Sequence, residues 1–329
     1  MKVCILGGAG FIGSHIVDTL WNNDIQDLTV IDDFSTGRRD NLNHDIEILN
    51  RDILGLGDFF KNNYGGREFD WVINCAAQVS TFESITNPEK DFQINAEGMF
   101  YLLESLRKAD FNGVFIYTSS RSIYGDIIGF ADESGKYQPS SIYNTNKYYG
   151  ELLTRLYGKL YGLKYYIIRP SNVYGPRQPN AGLYNFCCRW ISYVLQDKPI
   201  PIWGDGSQTR DFVFVEDIVD AYLKVIQQQP VHSGFNSGFS DDTFLLASGV
   251  GYTLLDLVNI ILSELGKDFN DKTVQFKPPK AGDIQRFVGN PYFAKSRLGW
   301  EAKTDLKTGI KKTIEWVKVN MERYEDYNL

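Results

Sequence analysis

Val3-Cys4-Ile5-Leu6-Gly7-Gly8-Ala9-Gly10-Phe11-Ile12-Gly13 opens the chain and decides its architecture. Four apolar residues stop abruptly at glycine, and from Ile12 apolar residues recur with helical spacing. The pattern predicts a strand, a glycine turn and a helix. Glycines there let the backbone turn sharply and come close to a pyrophosphate, while the helix start offers unpaired N–H groups and a partial positive charge. The stretch satisfies both G-x-G-x-x-G (8, 10, 13) and G-x-x-G-x-x-G (7, 10, 13), so spacing leaves the subclass of dinucleotide fold open.

Asp32 ends the second apolar run, nineteen residues past Gly13, where a carboxylate accepts hydrogen bonds from the adenosine ribose. A 2′-phosphate would meet a like charge there, which favours NAD over NADP. Arg38 and Arg39, nearby, pull the other way. Asp52, after a third strand, is placed to bond the adenine amino group.

Outward from this unit, residues 28–31, 71–75, 114–117 and 165–168 read as further short, continuously apolar strands. Residues 12–21, 58–63, 89–108 and 143–161 read as helices, with Asn87-Pro88 and Pro139-Ser140-Ser141 as start signals. The expected fold is α/β: a Rossmann-type doubly wound parallel sheet covered on both faces, with a smaller C-terminal α/β substrate domain. Prolines crowd the chain after Arg169-Pro170. The cofactor domain is therefore expected over residues 1–170, with 211–237 returning to it. Residues 171–210 and 238–329 are left for the substrate.

The 329 residues are 43% hydrophobic and 23% charged, the ordinary globular range, and their net charge of −7 disfavours a nucleic-acid partner. No apolar run approaches a membrane span, and the one after Lys2 is too short for a secretory signal, so a cytoplasmic enzyme is expected. Four cysteines without C-x-x-C spacing read as reduced thiols, and three scattered histidines make no metal site.

Tyr143-Asn144-Thr145-Asn146-Lys147 is a Y-x-x-x-K, and with twenty tyrosines and twenty lysines about one such match arises by chance. Its context is specific. It opens a helix, where an i, i+4 pair shares one face, and the preceding strand ends in Thr118-Ser119-Ser120. A tyrosine phenol near its free pKa of about 10 is a poor base. A lysine ammonium and an oxidised nicotinamide would lower that pKa, while Ser120 holds the same substrate oxygen.

These motifs resemble the extended short-chain dehydrogenase/reductase family, in particular its nucleotide-sugar epimerases and dehydratases, almost end to end. The matching pieces are residues 7–13, Asp32 to Arg39, Ala76-Ala77-Gln78, Asn95, residues 118–125, Tyr143/Lys147, residues 169–177, Trp203 to Phe212 and residues 282–286. The resemblance implies NAD held by Gly7, Gly10, Phe11, Ile12, Gly13, Asp32, Asp33, Ser35, Thr36, Gly37, Asp52, Ile53, Ala76, Ala77, Gln78, Asn95, Thr118, Tyr143, Lys147 and Ser171. It implies Ser120 and Tyr143 at the reacting sugar oxygen, Asn172 and Arg210 on a diphosphate, and Trp203 stacked on the base. Lys280 stands where an arginine is frequent, Asp283 lies beside it, and Phe287 matches a pocket position that is bulky in enzymes of non-acetylated sugars.

Family members that dehydrate sugars carry an Asp-Glu pair after the catalytic hydroxyl residue, and the decarboxylases carry the Glu. Here those positions are Arg121 and Ser122. What remains suits epimerisation of a UDP-glucose/UDP-galactose-type substrate at C4, a supply step for polysaccharide assembly. The stretches 78–95 and 116–120 also resemble CDP-tyvelose 2-epimerases, which keeps inversion at C2 as an alternative. A silent NAD-binding protein is the non-enzyme alternative, against which the intact Ser120, Tyr143 and Lys147 argue. The apolar surface of Tyr148, Tyr149, Leu152, Leu156 and Tyr157 points to a homodimer, as in the family.

Overall fold

In the computed structural model, residues 1–64, 69–179, 186–228, 242–279 and 283–324 are described. The expected strand, turn and helix form at once: β1 (Lys2–Leu6) runs into the glycine turn, and α1 (Phe11–Trp21) leaves it. The strands that follow are β2 (Asp27–Asp32), β3 (Glu47–Asn50), β4 (Trp71–Asn74), β5 (Val114–Thr118) and β6 (Lys164–Pro170). Then come β7 (Asn172–Tyr174), β8 (Ile200–Trp203), β9 (Thr209–Phe214), β10 (Thr243–Leu246), β11 (Gly251–Thr253) and β12 (Val274–Lys277).

The main sheet is parallel throughout, in the order β10-β6-β5-β4-β1-β2-β3. Its strand order reverses between β1 and β4, and the crevice at their carboxyl ends is where such sheets bind ligands. Both faces are covered, as the unbroken apolar strands require. Val3 and Ile5 pack with Ile16, Val17 and Tyr222 on one face. Cys4 and Leu6 pack with Leu102, Leu103 and Phe115 on the other.

Between these strands lie α2 (Phe59–Tyr64), α3 (Thr81–Thr86), α4 (Pro88–Phe92), α5 (Gly98–Lys108) and α6 (Ile142–Tyr161). The single helix expected over 89–108 is interrupted by a π-helical stretch, Gln93–Glu97, so α4 and α5 are separate. The start signals act as their chemistry demands. Asn87 accepts the Lys90 N–H ahead of Pro88, and Ser141 accepts the Asn144 N–H at 3.2 Å.

Later helices are α7 (Phe186–Leu195), α8 (Val215–Gln227), α9 (Leu254–Glu264), α10 (Tyr292–Leu298) and α11 (Leu306–Val319). α8 packs on α1, and its Ile218 and Tyr222 share the core of β1. Residues 229–237 lie outside the described set. A separate core gathers Trp190, Ile202, Phe212, Leu257 and Ile310 around two small sheets, β11-β9-β7 and β12-β8. No described helix is long and apolar enough to cross a membrane.

Candidate active site

The glycine turn has no room for side chains. Gly7 has φ +70°, and a Cβ there would lie 2.6 Å from the Ala76 nitrogen at the end of β4. One on Gly13 would lie 2.2 Å from the Gly7 carbonyl oxygen. Gly10 caps α1 without a side-chain hydrogen bond, and the first turn of α1 carries no acid. Its N–H groups, flanked by Phe11 and Ile12, are left for an anion.

Asp32 is buried and accepts the Ala9 N–H at 2.9 Å and the Phe34 N–H at 2.8 Å. Burial pushes its pKa up, against the pull of those hydrogen bonds. Gly37 presses on this carboxylate, where a Cβ would stand 2.7 Å from Oδ1. Asp33 turns to Ser35, accepting its N–H and hydroxyl at 2.9 and 2.7 Å, while Thr36 is exposed. Arg38 is committed to Asp40 at 3.0 Å, and Arg39 lies over the Phe34 ring. Neither counter-charge is poised for a 2′-phosphate. Asp52 caps a short 3-10 turn starting at Ile53, accepting the Leu54 N–H at 2.9 Å. A cradle that any Cβ would fill, an uncapped helix start and a carboxylate at the β2 end together fit NAD.

After β4, Ala76 and Ala77 lead to Gln78, which exchanges hydrogen bonds with Asn95. The Asn95 amide donates to the Gln78 carbonyl at 2.8 Å, and the Gln78 N–H returns to Asn95 Oδ1 at 3.1 Å. Asp91 ties this pair to the catalytic helix. Fully buried, it accepts from Gln78 (2.9 Å), Asn95 (3.1 Å) and Asn146 (2.7 Å). Asp91 and Asn146 escaped the sequence reading. The i, i+4 spacing of Asp91 and Asn95, and Asn146 beside Lys147, were the available signals.

Ser120 leaves β5 into a 3-10 turn and accepts the N–H and hydroxyl of Ser122 at 3.1 and 2.9 Å. Tyr143 and Lys147 lie one turn apart on α6. The Tyr143 N–H donates to Ser84 on α3, a helix too short to leave a periodic signal. The Lys147 ammonium is buried and donates to the Thr118 carbonyl at 3.0 Å; burial takes its pKa down to about 8. Burial takes the Tyr143 phenol up to about 12, against the pull of the Ser120 hydrogen bond and of Arg121. In this arrangement burial outweighs the pull of Ser120 and Arg121 on the phenol, while the Lys147 ammonium, one helical turn away, donates to the Thr118 carbonyl.

On the other side, Arg210 pairs with Asp283 at 2.7 Å, and Gln208 bridges the Trp203 carbonyl (2.6 Å) and Asp283 (3.4 Å). Asn172 Oδ1, Gln208 Oε1 and Arg121 Nη1 are buried without a hydrogen-bond partner, the mark of a site shaped for a polar ligand. Gln208 was not foreseen. Ser171 donates its hydroxyl to the Asp211 carbonyl at 2.7 Å. Phe287 is fully buried, with the Arg121 guanidinium 5.1 Å above its ring. Lys280 lies outside the described residues.

A sheet wound this way, carrying a dinucleotide cradle and a Ser-Tyr-Lys trio at its carboxyl edge, defines an NAD-linked enzyme of the short-chain dehydrogenase type. More narrowly, the chain belongs to the NAD dependent epimerase/dehydratase family, which it matches over residues 3–238. It is 32% identical over 329 residues to the UDP-glucose 4-epimerase of Mycolicibacterium smegmatis, covering 97% of this chain and 99% of that protein. It superposes at TM-score 0.87 on the Thermotoga maritima UDP-glucose 4-epimerase with UDP-glucose, at 31% identity, covering 98% and 100% of the two chains. The Thermus thermophilus UDP-glucose 4-epimerase in complex with NAD also gives 0.87, at 29% identity and 97% and 99% coverage.

Proposed function

We propose that this protein inverts C4 of a UDP-glucose/UDP-galactose-type nucleotide sugar through a transient keto-sugar. One observation carries the choice of reaction. Beside Ser120 and Tyr143 stand Arg121 and Ser122, and the Ser122 hydroxyl is bonded to Ser120. No carboxylate follows the catalytic serine to run an elimination or a decarboxylation. Ser120 holds the C4 oxygen, and Tyr143 removes its hydroxyl proton and later returns it. NAD held at the glycine turn and Asp32 would supply a reversible hydride acceptor for C4, so that inversion would consume no second substrate.

The phenol at about 12 is a weak base on its own. The positive charge of the oxidised nicotinamide and of Arg121 favours the phenolate when substrate is present. Asn172 and Arg210 hold the diphosphate, with Asp283 fixing the guanidinium, Trp203 meets the base, and Lys280 adds a cation. Residues 1–170 with α8 and β10 carry the cofactor; β10, expected in the substrate region, instead pairs with β6 at the edge of the main sheet, and most of the remainder carries the sugar nucleotide.

The protein is further proposed to act in the cytoplasm as a homodimer, supplying polysaccharide assembly. On α6, Tyr149, Leu152, Leu156 and Leu160 are each at least 40% exposed at helical spacing. Two of the expected interface residues belong inside the monomer. Tyr157 is buried with its hydroxyl on Glu104 at 2.7 Å, and Tyr148 packs on Tyr137.

Incubation with UDP-, CDP-, GDP- and dTDP-sugars, read by proton NMR, tests the reaction. The C4 epimer of a UDP-sugar is expected, and Tyr143→Phe should slow it by roughly 10²–10⁴-fold with NAD still bound. A dehydrated, decarboxylated or C2-inverted product, or undiminished turnover by Tyr143→Phe, refutes the assignment.

A further inference from the structure

We infer that Arg121 is a receptor for a carboxylate on the sugar ring, so that the preferred substrate is a nucleoside diphosphate hexuronate. This rests on the C4-epimerase assignment above and narrows its substrate.

The other buried cations around the site have hydrogen-bonded acceptors. Lys147 has the Thr118 carbonyl, Arg169 has Glu151, and Arg210 has Asp283. Arg121 makes no hydrogen bond or ion pair with any described residue, and its Nη1 is buried. It is held only by the face of the Phe287 ring, 5.1 Å from the guanidinium. The residue as a whole is half-buried, and its charge feels the Asp283 and Asp211 carboxylates without forming an ion pair to either, so the buried Nη1 is an N–H donor left without an acceptor, a cost to the fold. Burial, and then the like charge of Arg210, pull this guanidinium's pKa down to about 9, which still leaves it protonated at neutral pH. The missing acceptor is therefore one that arrives with the substrate.

A nucleotide sugar offers two candidates, the diphosphate on C1 and an acid group on the ring. Position favours the second. Arg121 directly follows Ser120, and its charge acts on the Tyr143 phenol. Those two groups meet the C4 oxygen. The nearest substituent to C4 that can be anionic is the C6 group on C5, whereas the diphosphate leaves from the far side of the ring. Phe287 blocks one face of the guanidinium, but its edge, a planar fork of N–H donors, matches a carboxylate in two parallel hydrogen bonds.

The test compares kcat/KM for UDP-glucuronic acid and UDP-glucose, with the holoenzyme and two variants. The wild type should favour the uronate at least tenfold. Arg121→Met keeps the packing on Phe287 and removes the fork, and should lower the uronate-to-glucose ratio by roughly 10- to 100-fold. Arg121→Lys should fall between. Because Arg121 makes no hydrogen bond or ion pair with a described residue, the Tm of the methionine variant should stay within about 2 °C of the wild type; a clear fall would mean that Arg121 has a structural partner and overturn the inference. Equal losses on both sugars, together with weaker binding of UDP alone, place Arg121 on the diphosphate and also overturn it. UDP-glucose turned over at least as well as UDP-glucuronic acid overturns the carboxylate but leaves the epimerase standing. Epimerisation of neither refutes the parent assignment.

Discussion

Glu151→Gln strands a buried guanidinium. Side chains of Arg169 and Glu151 are 1% and 0% exposed, joined by two charged hydrogen bonds at 2.8 and 2.6 Å. The remaining Arg169 donors go to the hydroxyls of Tyr124 (2.7 Å) and Tyr137 (3.0 Å), and Ser119 donates to Glu151 at 2.5 Å. Burial opposes the Arg169 charge, but the Glu151 hydrogen bonds and charge outweigh it and raise the pKa. With the carboxylate gone, the cation keeps its desolvation cost and loses its counter-charge, a loss of about 3–5 kcal/mol. For a 329-residue chain with a total stability of about 5–15 kcal/mol, that corresponds to a Tm lower by roughly 4–7 °C. Replacing both partners, as Glu151→Leu with Arg169→Met, should return part of it, since the buried charges go together although Ser119, Tyr124, Tyr137 and Arg155 each lose a contact. Denaturant and thermal melts of the two singles and the double complete the cycle. A Glu151→Gln cost below about 1 kcal/mol, or a double variant as unstable as the sum of its singles, refutes the reasoning. Ser119 neighbours Ser120, so kcat should fall in the single variants as well.

Three further outcomes are expected. Gly13→Ala forces a Cβ to 2.2 Å from the Gly7 oxygen and should weaken NAD binding roughly 100-fold, about 2.7 kcal/mol, by calorimetry. Gly57→Ala, with open space around its Cβ, is the control. His15 Nε2 donates to the Pro176 carbonyl at 3.0 Å, and burial, then Arg177, lower its pKa to about 4. The folded state thus stays neutral where the unfolded chain takes up a proton. Stability should fall as pH drops from about 6.5 to 4, by up to about 3 kcal/mol, and His15→Gln should flatten that slope in melts at several pH values. Leu152→Glu with Leu156→Glu should give a particle of monomer mass in light scattering if α6 forms the interface; an unchanged dimer mass would place the interface elsewhere.

Much of the site was legible because its signals are local. The glycine turn, Asp32 at a strand end and the Asn87-Pro88 and Ser141 caps each depend on a few consecutive residues, whose sterics and hydrogen bonds act the same in any fold. Tyr143 and Lys147 became meaningful once the helix carrying them was placed. α3 was missed because six residues hold under two helical turns. The π-helical stretch was missed because an inserted residue leaves the apolar pattern nearly unchanged.

The chain order of residues dictated the strand, turn and helix, pointed to the cofactor class and named Ser120, Tyr143 and Lys147 as the candidate reacting trio. Which charges have partners was settled only by the fold. Asp91 meets Asn146 across 55 positions, and Arg210 meets Asp283 across 73. No spacing rule reaches that far. A pairing depends on where two distant elements come to rest, and the cost of a buried charge depends on that pairing and on the water excluded around it. That is why Lys147, placed beside Tyr143 by sequence, also donates to Thr118 in space, and why Arg121, a departure from a motif in sequence, carries a buried Nη1 without a hydrogen-bond partner in the structure.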